Sequence, residues 1–353
     1  MNQLLLFTFF IFTNLHIVGS VIYDAEKGTI TAKFGDKVAS DDIILEIQPL
    51  SNEVRVFGQE CEKADSCTQQ WHPTFDVEKN TAKKGKELTE NGLKCTVYDD
   101  VTVKFGKAET KLTVGVYDGI TDDAQILPHY SDGKFGIGLD SKILNELNFV
   151  KLVNTQNASS QFLVFVPKHP TRSKSVGKME IGKNDEEACG KITLESVVKD
   201  SNGFSAWATD SKATFDDKTE DIKLFFSFTS THKFSTSLIE KYFKNDNVNQ
   251  EQYHEMKDIT ITLQNLNVTV PKDQLYKKDG QYYKKLFLPT NGEFDVELGN
   301  PVLKDYCVKL TKFEDASHNI VFQIGLGLRK NSASIIGYGS FVMFLMFYLV
   351  NAN

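Results

Sequence analysis

No Cys-x-x-Cys spacing and no neighbouring pair of histidines occur in this chain of 353 residues, so the usual ligand sets of structural metal sites are missing. No metal or cofactor is expected. Gly-x-Ser-x-Gly and His-Glu-x-x-His are also absent, and Ser227, His232 and Cys95 are unrelated in spacing, which leaves nucleophilic and zinc hydrolysis without a signature. A net charge of −7 with no basic cluster excludes nucleic acid as an expected partner. Apolar runs long enough to approach a membrane span occur only near the two ends.

At the N-terminus, Leu4 to Phe12 is apolar and is followed by the small residues of Val18-Gly19-Ser20, the pattern of a signal peptide over 1–20 cut near Ser20. At the C-terminus, 329–353 reads as a linker and a hydrophobic anchor or anchor signal. The sixteen residues from Ile335 to Val350 would reach about 24 Å as a helix, short of a hydrocarbon core of about 30 Å. A lipid-anchor signal with Asn331 or Ser332 as the attachment point fits this pattern, and a short membrane span is the alternative. Both place the protein in the secretory pathway, extracellular or at the cell surface and tethered to the membrane by its tail.

An exported chain pairs most of its cysteines. Cys61 and Cys67 enclose a small loop and are the expected disulfide, while Cys95, Cys189 and Cys307 leave one thiol over that the sequence does not identify. Asn157-Ala158-Ser159 and Asn267-Val268-Thr269 are glycosylation acceptors, at Asn157 and Asn267.

Twenty-six phenylalanines among many short Val/Ile/Thr-rich runs lean the fold toward β, and the length suggests two lobes. Strands are predicted over Gly28–Gly35, Ile43–Ile47, Val54–Val56, Tyr98–Val103, Leu112–Val116, Gln161–Pro167, Ile222–Ser230, Asp258–Leu263 and Val268–Val270. Lys84 to Val103 reads as a hairpin turning at Asn91-Gly92. Leu144 and Leu147 fit a helix, and Ser237-Leu238-Ile239-Glu240 reads as a capping box ahead of Tyr242 and Phe243.

One stretch organises the rest: Asp132-Gly133-Lys134-Phe135-Gly136-Ile137-Gly138, whose glycines let the chain pass close under another backbone. It resembles the D-G-x-hydrophobic-G-hydrophobic-G segment beneath the catalytic centre of pepsin-like aspartic peptidases, and Val296-Glu297-Leu298-Gly299-Asn300 resembles its counterpart in the second lobe. The Cys61/Cys67 loop, Trp71-His72-Pro73-Thr74-Phe75-Asp76, Gly177–Gly182 and Trp207 resemble further family segments in the right order, over about residues 27 to 327. The resemblance implies a mainly β, bilobal acid-protease fold, with two six-stranded-type barrel lobes over 21–167 and 168–328 and a cleft between them.

The chemistry of that family is missing. Its peptidases need two carboxylates, one per lobe, sharing a proton around a water. No Asp-Thr-Gly or Asp-Ser-Gly occurs anywhere. Gln48, followed by Pro49 and Leu50, falls at the first aspartate, and Phe226 or Ser227 at the second. The expectation is a non-catalytic, pepsin-like surface glycoprotein, inactive as a peptidase, whose interlobe cleft takes an extended peptide, a protein or a glycan. An atypical aspartic endopeptidase using displaced carboxylates such as Glu46, Asp221 or Asp295 is the enzymatic alternative. A structural surface protein with Phe226 and Phe228 filling the cleft is the third. His72 reads as a surface-loop histidine.

Overall fold

The structure, a computed structural model, describes residues 21–35, 42–59, 61, 74–77, 81–90, 93–120, 131–140, 146–155, 161–168, 177–199, 206–264 and 266–330. The signal peptide, Cys67, His72, the Asn91-Gly92 turn, Asn157, Asn331 and Ser332 lie outside the described residues. The fold is mainly β, with a closed six-stranded barrel and further sheets.

The first half contains β1 (Val21–Asp24), β2 (Thr29–Phe34), β3 (Ile43–Gln48), β4 (Val54–Phe57), β5 (Lys83–Glu90), β6 (Leu93–Phe105), β7 (Ala108–Ile120) and β8 (Gly133–Gly136). Helix α1 (Asn148–Val153) and β9 (Gln161–Val166) follow. Strands β2, β3, β8, β4, β7 and β6 are hydrogen-bonded in that order, and pairing of Lys33 and Phe34 with Lys104 and Val103 closes the ring. Alternation sends Phe34, Leu45, Ile47, Val56, Phe105 and Phe135 into one buried cluster, with the Phe105 and Phe135 rings 4.9 Å apart.

The second half contributes β10 (Lys178–Ile181), β11 (Thr193–Ser196), β12 (Ala208–Phe215), β13 (Lys218–Phe226), β14 (Lys233–Phe234), α2 (Thr236–Tyr242), β15 (Asn247–Val248) and α3 (Gln250–Glu255). Then come β16 (Ile259–Leu263), β17 (Leu266–Val270), α4 (Lys272–Leu275), β18 (Tyr276–Asp279), β19 (Tyr282–Lys285) and β20 (Leu288–Pro289). The chain finishes with β21 (Val296–Leu298), α5 (Asn300–Leu303), β22 (Tyr306–Glu314) and β23 (Ile320–Leu328). Seven of these strands form a separate sheet in the order β17-β16-β12-β13-β21-β14-β20. Strands β11, β23, β22, β9 and β10 instead join β1, so one continuous layer runs from the second half into the barrel.

Three local expectations are corrected. The α2 cap is Ser235, two residues before the predicted box, and its hydroxyl pairs with Ser237 Oγ at 3.0 Å instead of a backbone N–H. A reciprocal capping box does form at α3, between Asn249 and Gln252. The predicted strand Ile222–Ser230 ends at Phe226, because Phe228 takes a left-handed φ of +54° that no ladder can continue. The helix after the glycine stretch is described only from Asn148, with Leu147 as its cap rather than inside it.

Candidate functional site

Strands β3 and β13 are built alike. Strand β8 lies parallel to β3 and antiparallel to β4, and β21 lies parallel to β13 and antiparallel to β14. In each half a later strand therefore inserts between two earlier ones and leaves a loop crossing over its end. Leu45 faces Gly133 as Leu224 faces Val296, so Gln48 is equivalent to Ser227 and Ile47 to Phe226. Of the two candidates named from the sequence, Ser227 is thus the counterpart of Gln48, and Phe226 is the core residue before it, 1% exposed.

An aspartate braces each insertion. Asp132 Oδ2 accepts from Ile44 N at 2.7 Å, while Asp132 N donates to Ile44 O. Asp295 Oδ2 accepts from Lys223 N at 2.9 Å, and Asp295 N donates to Lys223 O. Gly136 and Gly299 then pass under the loops: a Cβ on either would lie 2.4 Å from Ser51 O or 2.3 Å from Thr231 O.

Two further devices hold the loops. Asn148 N donates to Asn52 Oδ1, and Asn148 Nδ2 donates to Asn52 O and Gly136 O, which ties the first loop to α1. In the second loop His232 is buried; its Nδ1 accepts from Gly299 N at 3.1 Å and its Nε2 faces Gln274 Oε1 at 3.4 Å. That pattern fixes the proton on Nε2, and burial pushes the imidazole down to about 4, so it stays neutral.

The two strand ends converge on Gly28. Its carbonyl accepts from Ile47 N at 2.9 Å, and its Cα abuts the other half so closely that a Cβ would sit 2.2 Å from Phe228 O. Trp207 Nε1 donates to Ile137 O at 2.7 Å, a second tie between the halves. Neither end presents an ionisable group: Gln48 is half-buried, Pro49 buried and Leu50 48% exposed, whereas the Ser227 hydroxyl is buried against Thr229 Oγ1 at 2.9 Å. No known protein family matches the sequence, and no curated protein is similar to it.

The carboxylates named as possible substitutes are not gathered at these ends. Asp221 is largely exposed and faces Lys212 across the hairpin at 3.9 Å. Asp295 serves the brace just described, and Glu46 sits in β3 opposite Thr29 and Lys134. Sequence reasoning missed Asp132 as a structural acceptor, the Asn52–Asn148 clamp and the part played by His232. The repeated spacing of an aspartate four residues before a glycine, Asp132/Gly136 and Asp295/Gly299, was the available signal for the first.

Among the remaining cysteines the structure chooses Cys189–Cys307 as a disulfide and leaves Cys95 as a buried thiol. Cys61 is also disulfide-bonded. Asn267 and Thr269 are exposed on the same side of β17 with Val268 buried between them. Among the described residues there is no cluster of metal-ligating side chains and no helix long and apolar enough to cross a membrane.

Proposed function

We propose that the chain is a bilobal, pepsin-like surface protein that has lost peptidase chemistry and uses the groove between its lobes to bind an extended peptide, a protein or a glycan. The observation that carries this reading is the pair of equivalent strand ends, Gln48 and Ser227, meeting at Gly28 with an amide and a hydroxyl where the resemblance calls for two acids. The loops held by the braces and clamps would form the floor for a ligand, and Leu50, exposed two residues after Gln48, would offer it an apolar contact. Export and tethering follow from the sequence patterns of the two ends.

The test has two arms. Purified protein incubated with an unfolded polypeptide at acid pH is expected to give no pepstatin-sensitive cleavage; such cleavage would return the enzymatic reading. Peptide and glycan arrays are expected to give saturable binding that Leu50→Asp weakens. A second reading, a structural protein with a filled cleft, is favoured by Phe228, whose buried ring packs 5.1 Å from Phe165 of the joining layer. It predicts no binding on either array.

A further inference from the structure

On the opposite side of β9 and β22 from the barrel-like packing, the segment Asn184–Leu194 is pinned over the sheet by Cys189–Cys307. A cavity of about 340 Å³ opens along the segment, with Cys189, Ile192 and Leu194 as apolar walls, Lys191, Lys309 and Lys330 around it, and Asp185 and Glu186 also in its lining. This volume falls within the range of small-ligand sites. The cavity shares no residue with the strand ends.

Lys309 is the telling side chain. It stands two residues after Cys307 on β22, half-buried, with its Nζ 3.7 Å from the centre of the Phe162 ring and donating to Asn184 Oδ1 at 3.1 Å. Among the described residues its ammonium meets an amide oxygen and a ring face and forms no ion pair; partial burial pushes its pKa below the ordinary lysine value. The nearest acids are committed or turned outward. Asp185 is taken by Lys178 at 2.7 Å and by Ala188 N, and Glu186 is exposed, with its carbonyl, not its carboxylate, held by Lys330 Nζ. A desolvated cation without a counter-charge is costly, and an anion arriving in the cavity removes that cost.

We propose that this cavity is a binding site for a small organic carboxylate, its charged end on Lys309 with Lys191 and Lys330 at the rim and its apolar body against Ile192, Leu194 and the disulfide. The disulfide sets the width of the site, because it fixes the covering segment to the strand that carries the amine.

Benzoate is the probe, and full-length protein with ¹³C-dimethylated lysines is the sample. Titration is expected to shift one buried-lysine signal saturably and to raise its pKa. Lys309→Met keeps the aliphatic cover over Phe162 and should melt within a few degrees of the parent, yet bind benzoate about tenfold more weakly, a loss of about 1.4 kcal/mol. Lys191→Met, at the exposed rim, is expected to weaken binding less. Absence of a saturable shift overturns the proposal, as does equal binding by Lys309→Met. Inorganic sulfate matching benzoate in affinity would overturn the apolar half of the site.

Discussion

Gly28 is the residue on which the two halves meet, and it answers to two constraints at once. Its φ of +67° lies in the left-handed region, and the position of its absent Cβ is occupied by Phe228 O. Gly28→Ala is therefore expected to cost at least about 3 kcal/mol, since the clash is with backbone and adds to the conformational penalty. Urea unfolding followed by tryptophan fluorescence measures it; a loss under 1 kcal/mol would mean that the halves part easily there. Phe228 poses a finer question, because its ring is buried while its backbone is strained. Losing the ring costs about 3–5 kcal/mol and relief of the left-handed backbone returns about 1–2 kcal/mol. Phe228→Gly should thus destabilise, yet less than Phe228→Ala by about 1 kcal/mol, the reverse of their usual order. The glycines at 136 and 299 were legible from sequence, because small residues in an apolar run signal backbone contact. Ser227 was not separable from Phe226, since two adjacent candidates in the run of five buried residues from Leu224 to Phe228 give no register until the partner strand is seen.

At the scale of elements, β14, β20 and the loop before them hang on His232: Leu288 N donates to its carbonyl and Gly299 N to its ring. Its folded pKa of about 4 lies below the unfolded value of about 6.5. The unfolded chain therefore binds the proton first, and stability that is complete above pH 6.5 falls as pH drops toward 4, by about 3 kcal/mol in all. His232→Asn, which keeps an acceptor near Gly299 N and does not titrate, is expected to flatten the unfolding free energy over that window. Identical slopes for the two proteins between pH 4 and 6.5 would remove His232 from the account. Most strands were readable at this scale, because alternation in Thr29–Phe34 or Ile259–Leu263 follows one buried face. Helix ends were read less well. Ser235 and Ser237 are both plausible caps by residue type, and the choice was made by Asp295, whose carbonyl accepts from Ser235 N across the sheet.

In the whole molecule, the division at residue 167 passes through a continuous layer instead of a linker between two independent cores. Strand β9 of the first half pairs on both sides with strands of the second, β10 and β22, and β1 also pairs with β10. Residues 21–167 alone are expected to show no cooperative unfolding transition, because β9 would expose Phe162–Val166 on both edges; co-expression with 168–330 should restore it. A sharp transition for the isolated first fragment would show that the barrel is self-sufficient. The repeated strand insertion of β8 and β21 was legible from the two glycine segments. The shared layer was not, since its β1–β10 and β9–β22 pairings join residues more than a hundred apart and no local pattern records such a partner.

The barrel closes on itself, but the seven-stranded sheet does not, and its last full-length strand is β17. An open row of backbone donors and acceptors is a template for a second chain, and proteins commonly cover or charge such borders. Along this one the exposed side chains are Asn267 and Thr269; the Thr269 backbone meets the Tyr306 hydroxyl, and Pro271 and Lys272 follow only after the strand has ended. A glycan on Asn267 would stand at the rim and block strand-to-strand docking, so the sugar would act as a guard against association. Protein made without glycosylation, or as Asn267→Gln, is then expected to self-associate through β17, with light scattering that rises with concentration and that Val268→Pro suppresses.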